Sequence, residues 1–193
     1  MRSQMSMSTT PAEIGHAVLQ LQERFALGTA IWVPVRPRHD SVLNDCYNDV
    51  ERQIAEFGGE IIYGWQVWEW PRMMIEGEFH AVWKSPAGEM IDITIKPDGE
   101  ERILFIPDPT RIYRGRQFDN IRLALWDYHL VHEYIAVLQQ KFTILDENRI
   151  SEVQSLATDE YVRIESRREA IVSTLMSFPR ARAIAKPKRS RRR

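Results

Sequence analysis

Two hydrophobic periods divide this chain. Ile14, Val18, Leu21 and Phe25 recur every three to four residues, the spacing that lines one stripe of a helix. Thr10-Pro11-Ala12-Glu13 comes just before. Thr10 is a capping type, Pro11 suits the first helical position and Glu13 completes a capping box, so a helix is predicted over 11–27. AIWVPVRP at 30–37 reads as a short extended piece whose prolines keep it at an edge. The helical period returns over 41–57, with Leu43, Cys46, Val50, Ile54 and Phe57 on one side. Gly58-Gly59 ends it with the left-handed residue that a helix C-terminus favours.

The pattern then shifts to strands. IIYGWQVWEW (61–70) is rich in aromatic and β-branched residues, MIEGEFHAVWK (74–84) and EMIDITI (89–95) flank SPAG, and RILFI (102–106) follows PDGE. Short turns join these segments, so an antiparallel sheet of about four strands is predicted. IPDPTRIYRG (106–115) is a proline-containing connector. Helical spacing resumes over 120–140 and again over 147–178, and Pro179 closes the fold. The class is α+β, a sheet packed against N-terminal and C-terminal helices. One domain is expected over 10–179, with residues 1–9 disordered.

Composition narrows the function. The 193 residues are 44% hydrophobic and 27% charged, as in ordinary globular proteins. No apolar run approaches the ~20 residues of a membrane span, so no membrane partner is expected. The N-terminal segment MRSQMSMSTT is polar and reads as no secretory leader. The single cysteine excludes an internal disulfide framework and a zinc site built on several thiolates, and a reducing cytoplasmic location is expected. Charge is uneven. The last fourteen residues hold eight basic side chains and no acid, leaving 18 basic against 27 acidic in residues 1–179, a net of −9. Residues 180–193 are expected to be a disordered tail. Arg189, Arg191, Arg192 and Arg193 then form a candidate dock for nucleic acid or another polyanion; the plainer reading is a solvated tail.

The cysteine is the first candidate for chemistry. Cys46 falls in the first turn of the 41–57 helix, where free N–H groups favour a thiolate and can stabilise an oxyanion. The plainer reading is a small buried hydrophobe. The hairpin supplies two more candidates. Pro86 suits the first central position of a type I turn and Gly88 the left-handed position after it, which pairs Ser85 with Glu89. That register puts Phe79, Ala81 and Trp83 opposite Ile95, Ile93 and Ile91 on one apolar face. Glu78, His80, Val82 and Lys84 share the other face with Met90, Asp92 and Thr94, and His80 lies diagonal to Asp92. Cys, His and Asp are the nucleophile, base and orienting group of thiol catalysis. The plainer reading of the His80 face is an exposed polar surface. Trp68 and Trp70, with Glu78, form a candidate substrate groove, against which stands ordinary aromatic core packing. His129 and His132 beside Glu133 lack the zinc-helix spacing and read as a helix surface.

The order of helix Cys, strand His and neighbouring-strand Asp resembles the papain-like and transglutaminase-like superfamily. More narrowly, the run from Cys46 through GWQVWEWP, EGEFHAVW, GEMIDIT and KPDGEERILFIPDP is similar to an uncharacterised bacterial family, some of whose members carry a zinc-binding SEC-C motif at the C-terminus. The similarity covers about residues 40–110. It implies a papain-like or transglutaminase-like core, with Cys46 as nucleophile, His80 as base and Asp92 as third member. This chain has one cysteine and a basic end, so no zinc module is expected, and no metal or cofactor. The implied function is a thiol-dependent hydrolase, deamidase or acyltransferase acting on an amide or ester. The alternative is a non-catalytic binding protein that uses an aromatic sheet face and the basic tail for a protein or nucleic-acid partner.

Overall fold

The computed structural model describes residues 7–147 and 159–179. Their elements run α1 (His16–Phe25), β1 (Ile31–Pro34), α2 (Cys46–Phe57), β2 (Glu60–Trp70), β3 (Met74–Lys84), β4 (Met90–Ile91), β5 (Arg102–Pro107), β6 (Ile121–Ala124), α3 (His129–Glu147) and α4 (Asp159–Ser177). The fold is mixed α+β, with an antiparallel sheet of six strands among the described residues. The chain divides into two units. One comprises Thr10–Glu69 and Ile75–Leu123; the other comprises residues 7–9, Trp70–Met74 and the described chain from Ala124.

The first unit holds most of the sheet, in the order β1-β5-β2-β3-β4, with β6 also paired to β3. Ile31 faces Phe105 across β1 and β5, and Gln66 faces Phe105 across β2 and β5. The β3–β4 hairpin has the register that its turn residues predict, with Trp83 opposite Ile91 and Lys84 opposite Met90. Ser85 N donates to Glu89 O (2.9 Å) and Gly88 N to Ser85 O (2.8 Å), with Gly88 at φ 87°. Ladder pairing stops at Ile91, short of the strand expected to residue 95. From Asp92 the chain turns to the continuation of β1. Asp92 N donates to Pro34 O (2.9 Å), Arg36 N to Asp92 O (2.8 Å) and Arg38 N to Ile93 O (2.9 Å). A parallel bridge, Val35 to Asp92, marks this junction.

That junction changes the meaning of the hairpin faces. Val82 and Met90, on the face expected to be polar, pack with Val33, Ile103 and Phe105 in a buried cluster. His80, Asp92 and Thr94 on the same face are buried too. The opposite face buries Phe79, Ala81, Ile91 and Ile93, while Ile95 is 46% exposed. Most of the hairpin is therefore covered on both sides, where an antiparallel pair commonly leaves one side to solvent.

Helix boundaries differ from expectation at the N-terminus. α1 begins at His16 with Gly15 as its cap residue and no side-chain cap. Thr10 instead bonds Glu100, through its N–H at 2.8 Å and its hydroxyl at 2.5 Å. A carboxylate accepting two donors is the stronger partner, so the capping box does not form. α2 ends at the glycine pair, where Gly58 N donates to Ile54 O (2.8 Å) and Trp83 Nε1 donates to Gly58 O (2.9 Å). Gly59 has φ 92°, and a Cβ there would meet Lys84 O at 2.3 Å, so only glycine lets the chain pass this close to β3.

In the second unit Trp70, Met73 and Met74, from the β2–β3 tip, form a buried cluster with Val131, Val137 and Leu175. Met7 packs against that cluster, so residues 7–9, expected to be disordered, are placed. α3 and α4 are tied by Lys141 to Glu165 (2.8 Å) and Arg167 to Glu133 (3.0 Å). Residues 121–124, predicted as helix, form β6. Leu125 N then donates to Met73 O (2.8 Å). Pairing to β3 satisfies backbone groups that a helical start would leave free. No helix among the described residues is long and apolar enough to cross a membrane. The basic tail, with Arg189, Arg191, Arg192 and Arg193, lies outside the described residues.

Candidate active site

Cys46 is the first residue of α2 and is 8% exposed. The loop before it is held from inside the helix. Asp49, fully buried, accepts the Ser41 hydroxyl at 2.6 Å and the Val42 N–H, and it also pairs with Arg52. Ser41 Oγ in turn accepts Ile95 N at 3.0 Å. The neighbouring Tyr47 fixes the helix start to β3. Its hydroxyl donates to Phe79 O at 2.9 Å, and its ring stacks on Tyr113 at 3.7 Å. Burial, followed by the charge of Cys46, pushes the Tyr47 phenol up, so it stays a neutral donor. Tyr47 follows Cys46 and Phe79 precedes His80. One hydrogen bond therefore anchors the thiol's helix to the histidine's strand.

His80 and Asp92 meet as the hairpin register requires. His80 Nε2 lies 3.2 Å from Asp92 Oδ2, with the histidine 6% exposed and the aspartate fully buried. Asp92 Oδ1 accepts the N–H of Thr94 at 2.9 Å and its hydroxyl at 2.7 Å. Lys96 Nζ approaches Oδ2 at 2.7 Å, sharing that oxygen with His80. Lys96 also donates to Gln66 Oε1 at 3.0 Å.

The electrostatics follow from these contacts. Burial opposes a charged imidazole. Asp92 and Cys46, by charge and by hydrogen bond, outweigh it and hold the His80 pKa at about 10. Burial likewise opposes the Asp92 carboxylate, but His80 and Lys96 hold its pKa well below the usual carboxylate range. With Nε2 turned to Asp92, Nδ1 is the ring nitrogen left for another partner.

The proposed groove residues are otherwise employed. Trp68 Nε1 donates to Glu78 Oε2 at 2.7 Å, so these two side chains satisfy each other across β2 and β3. Trp70, a candidate for the same groove, is instead 1% exposed in the second unit's core. Packing against Met73 and Met74 at the hairpin tip removes it from any groove. A hollow of about 280 Å³ is lined by Arg38, Gln53, Glu56, Phe57, Trp83 and Ile91. It lies against the C-terminal half of α2, so Cys46, His80 and Asp92 do not line it.

The sequence reading missed Lys96, Gln66 and Tyr47. Tyr47 stood beside the cysteine, but its target is a backbone carbonyl, which no side-chain pattern reveals. Gln66 interrupts the apolar run of β2, and a lone amide there is the one visible signal. His132 pairs with the exposed Asp127 at 3.0 Å, as on a helix surface. No family model, curated protein or solved structure matches the chain.

Proposed function

We propose that this protein is a thiol-dependent hydrolase, deamidase or acyltransferase, with Cys46 as nucleophile, His80 as acid and base, and Asp92 as its orienting partner. The observation that supports this reading is the buried His80 ring 3.2 Å from the Asp92 carboxylate, with Cys46 also favouring its protonated form. In that setting the sulfur attacks an amide or ester carbonyl. The carbonyl electrons move to oxygen, facing the free N–H groups at the start of α2. As they return, the bond to the leaving group breaks, and the His80 imidazolium gives that group its proton. A thioester remains. Neutral His80 then takes a proton from water or an amine as it attacks the thioester, and the thiolate departs. Asp92 stays ionised throughout, because it accepts donors on both oxygens.

The binding-protein alternative has less support. Trp65 and Trp70, at 2% and 1% exposure, offer no surface to a partner, and Trp68 and Trp83 are only partly exposed.

The test is alkylation of Cys46 by iodoacetamide at pH 5.5, where an ordinary thiol of pKa about 8.5 reacts slowly. Wild-type labelling is expected to be fast, and His80→Ala is expected to slow it by about 100-fold. Equally slow labelling of both folded proteins would remove the enzyme reading. A panel of electrophilic amides and esters then separates hydrolysis from transfer by whether added amine enters the product.

A further inference from the structure

The mechanism above leaves Lys96 unused. Lys96 has a side chain 8% exposed, and its ammonium sits on the same carboxylate oxygen as His80. Gln66 holds it there from β2: its amide oxygen accepts Lys96 Nζ, while its own buried Nε2 has no partner among the described residues. A buried amide that leaves its donor unmet to serve an ammonium is oriented by that ammonium, because an unmet donor is costly. Asp92 Oδ1 is meanwhile filled by Thr94. Its Oδ2 is therefore divided between two donors, His80 Nε2 and Lys96 Nζ.

We propose that Lys96 is a positioning residue of this site: it fixes the Asp92 carboxylate for His80 and limits how firmly His80 can hold a proton. The proposal rests on the thiol-enzyme reading. It concerns charge. Asp92 and then Cys46 are the groups that favour a protonated His80. Glu78, two residues along the same strand, is engaged by Trp68. Lys96 opposes them. Its positive charge lies one oxygen away from the imidazole, and it takes part of the carboxylate's accepting capacity. Both effects have the same sign, so both make His80 release its proton more readily. A base held too firmly as a cation cannot accept the proton of the second step, and Lys96 counters that.

The experiment follows His80 itself by NMR titration of its imidazole, in a Cys46→Ala background so that the thiol's own titration does not enter. Lys96→Met is compared with Lys96→Arg and with the unaltered lysine. Lys96→Met is expected to raise the pH at which His80 deprotonates by about one unit, a tenfold gain in proton affinity. Lys96→Arg keeps the charge and should stay within about half a unit of the parent. A midpoint that does not rise in Lys96→Met, or that rises equally in Lys96→Arg, overturns the proposal. If Lys96→Met does not fold, Lys96→Gln carries the same comparison. The alkylation test of Cys46 and His80 is independent of this titration. A shifted His80 with no His80-dependent labelling sustains the charge effect and removes the enzyme reading. The reverse result removes Lys96 and leaves the enzyme.

Discussion

Replacing Asp92 by asparagine separates a carboxylate from an amide at a fully buried position. Four donors converge on the two oxygens of Asp92: the Thr94 N–H, the Thr94 hydroxyl, Lys96 Nζ and His80 Nε2. A carboxylate accepts all four, whereas an amide has one oxygen and turns an NH2 toward the others. Whichever way the new amide flips, two donors face a donor. Each unmet buried donor costs about 1–3 kcal/mol, and removing one partner of a buried ion pair costs about 3–5 kcal/mol. His80 relieves part of this by losing its proton. The expected loss of stability at pH 7 is therefore ~3 kcal/mol, read by urea titration as a midpoint lowered by about 1.5 M at an ordinary slope. A double-mutant cycle with His80→Gln should return a coupling of about 1–3 kcal/mol. A loss below about 1 kcal/mol, with no coupling, would refute the reasoning, because the four-donor arrangement would then carry no energy. The same variant should lose His80-dependent alkylation of Cys46, since an amide does not stabilise an imidazolium as a carboxylate does.

Two further outcomes follow, one from the same pair and one from the sheet. Because the His80 pKa is raised from 6.5 to about 10, its contribution to stability is whole below about pH 6.5 and is lost as pH rises through 10. Because the Asp92 pKa is lowered from 3.8, its contribution is present above that value and is lost as pH falls through the folded pKa. Stability measured against pH should thus fall on both limbs, and His80→Gln should flatten the alkaline one; an alkaline limb unchanged by that substitution contradicts the assignment. Gly64→Ala places a Cβ 2.3 Å from Ile106 O and 2.9 Å from Pro107 Cα across the β2–β5 pair. Backbone on the facing strand cannot move aside, so a thermal melt should show a loss of about 1–3 kcal/mol, and a wild-type melting temperature would disprove the close approach.

Much of the local structure was legible in the residues. Aromatic and β-branched runs placed β2 and β3 almost to the residue, and Pro86 with Gly88 set the hairpin register that brings His80 to Asp92. Gly58 and Gly59 marked the end of α2, whereas its start, expected at 41, lies at Cys46, with Leu43 outside it and exposed. These features depend on neighbours in sequence, where period and turn chemistry act directly. The rest was decided by distant partners. Thr10 matches a cap in every local respect, yet its donors go to Glu100, ninety residues away. Residues 121–124 fit a helix but pair with β3, because β3 offers an unpaired edge there. The His80 face reads as polar surface by alternation. It is buried because the chain leaves β4 at Asp92 and bonds the continuation of β1. Lys96 follows Asp92 by four residues, where no periodicity marks it, and only the folded backbone brings its ammonium to Asp92 Oδ2 and Gln66 Oε1 together. Period and turn type fix which residues can share a face. Which faces are closed, and which charges meet inside them, is fixed by hydrogen bonds between segments far apart in the chain.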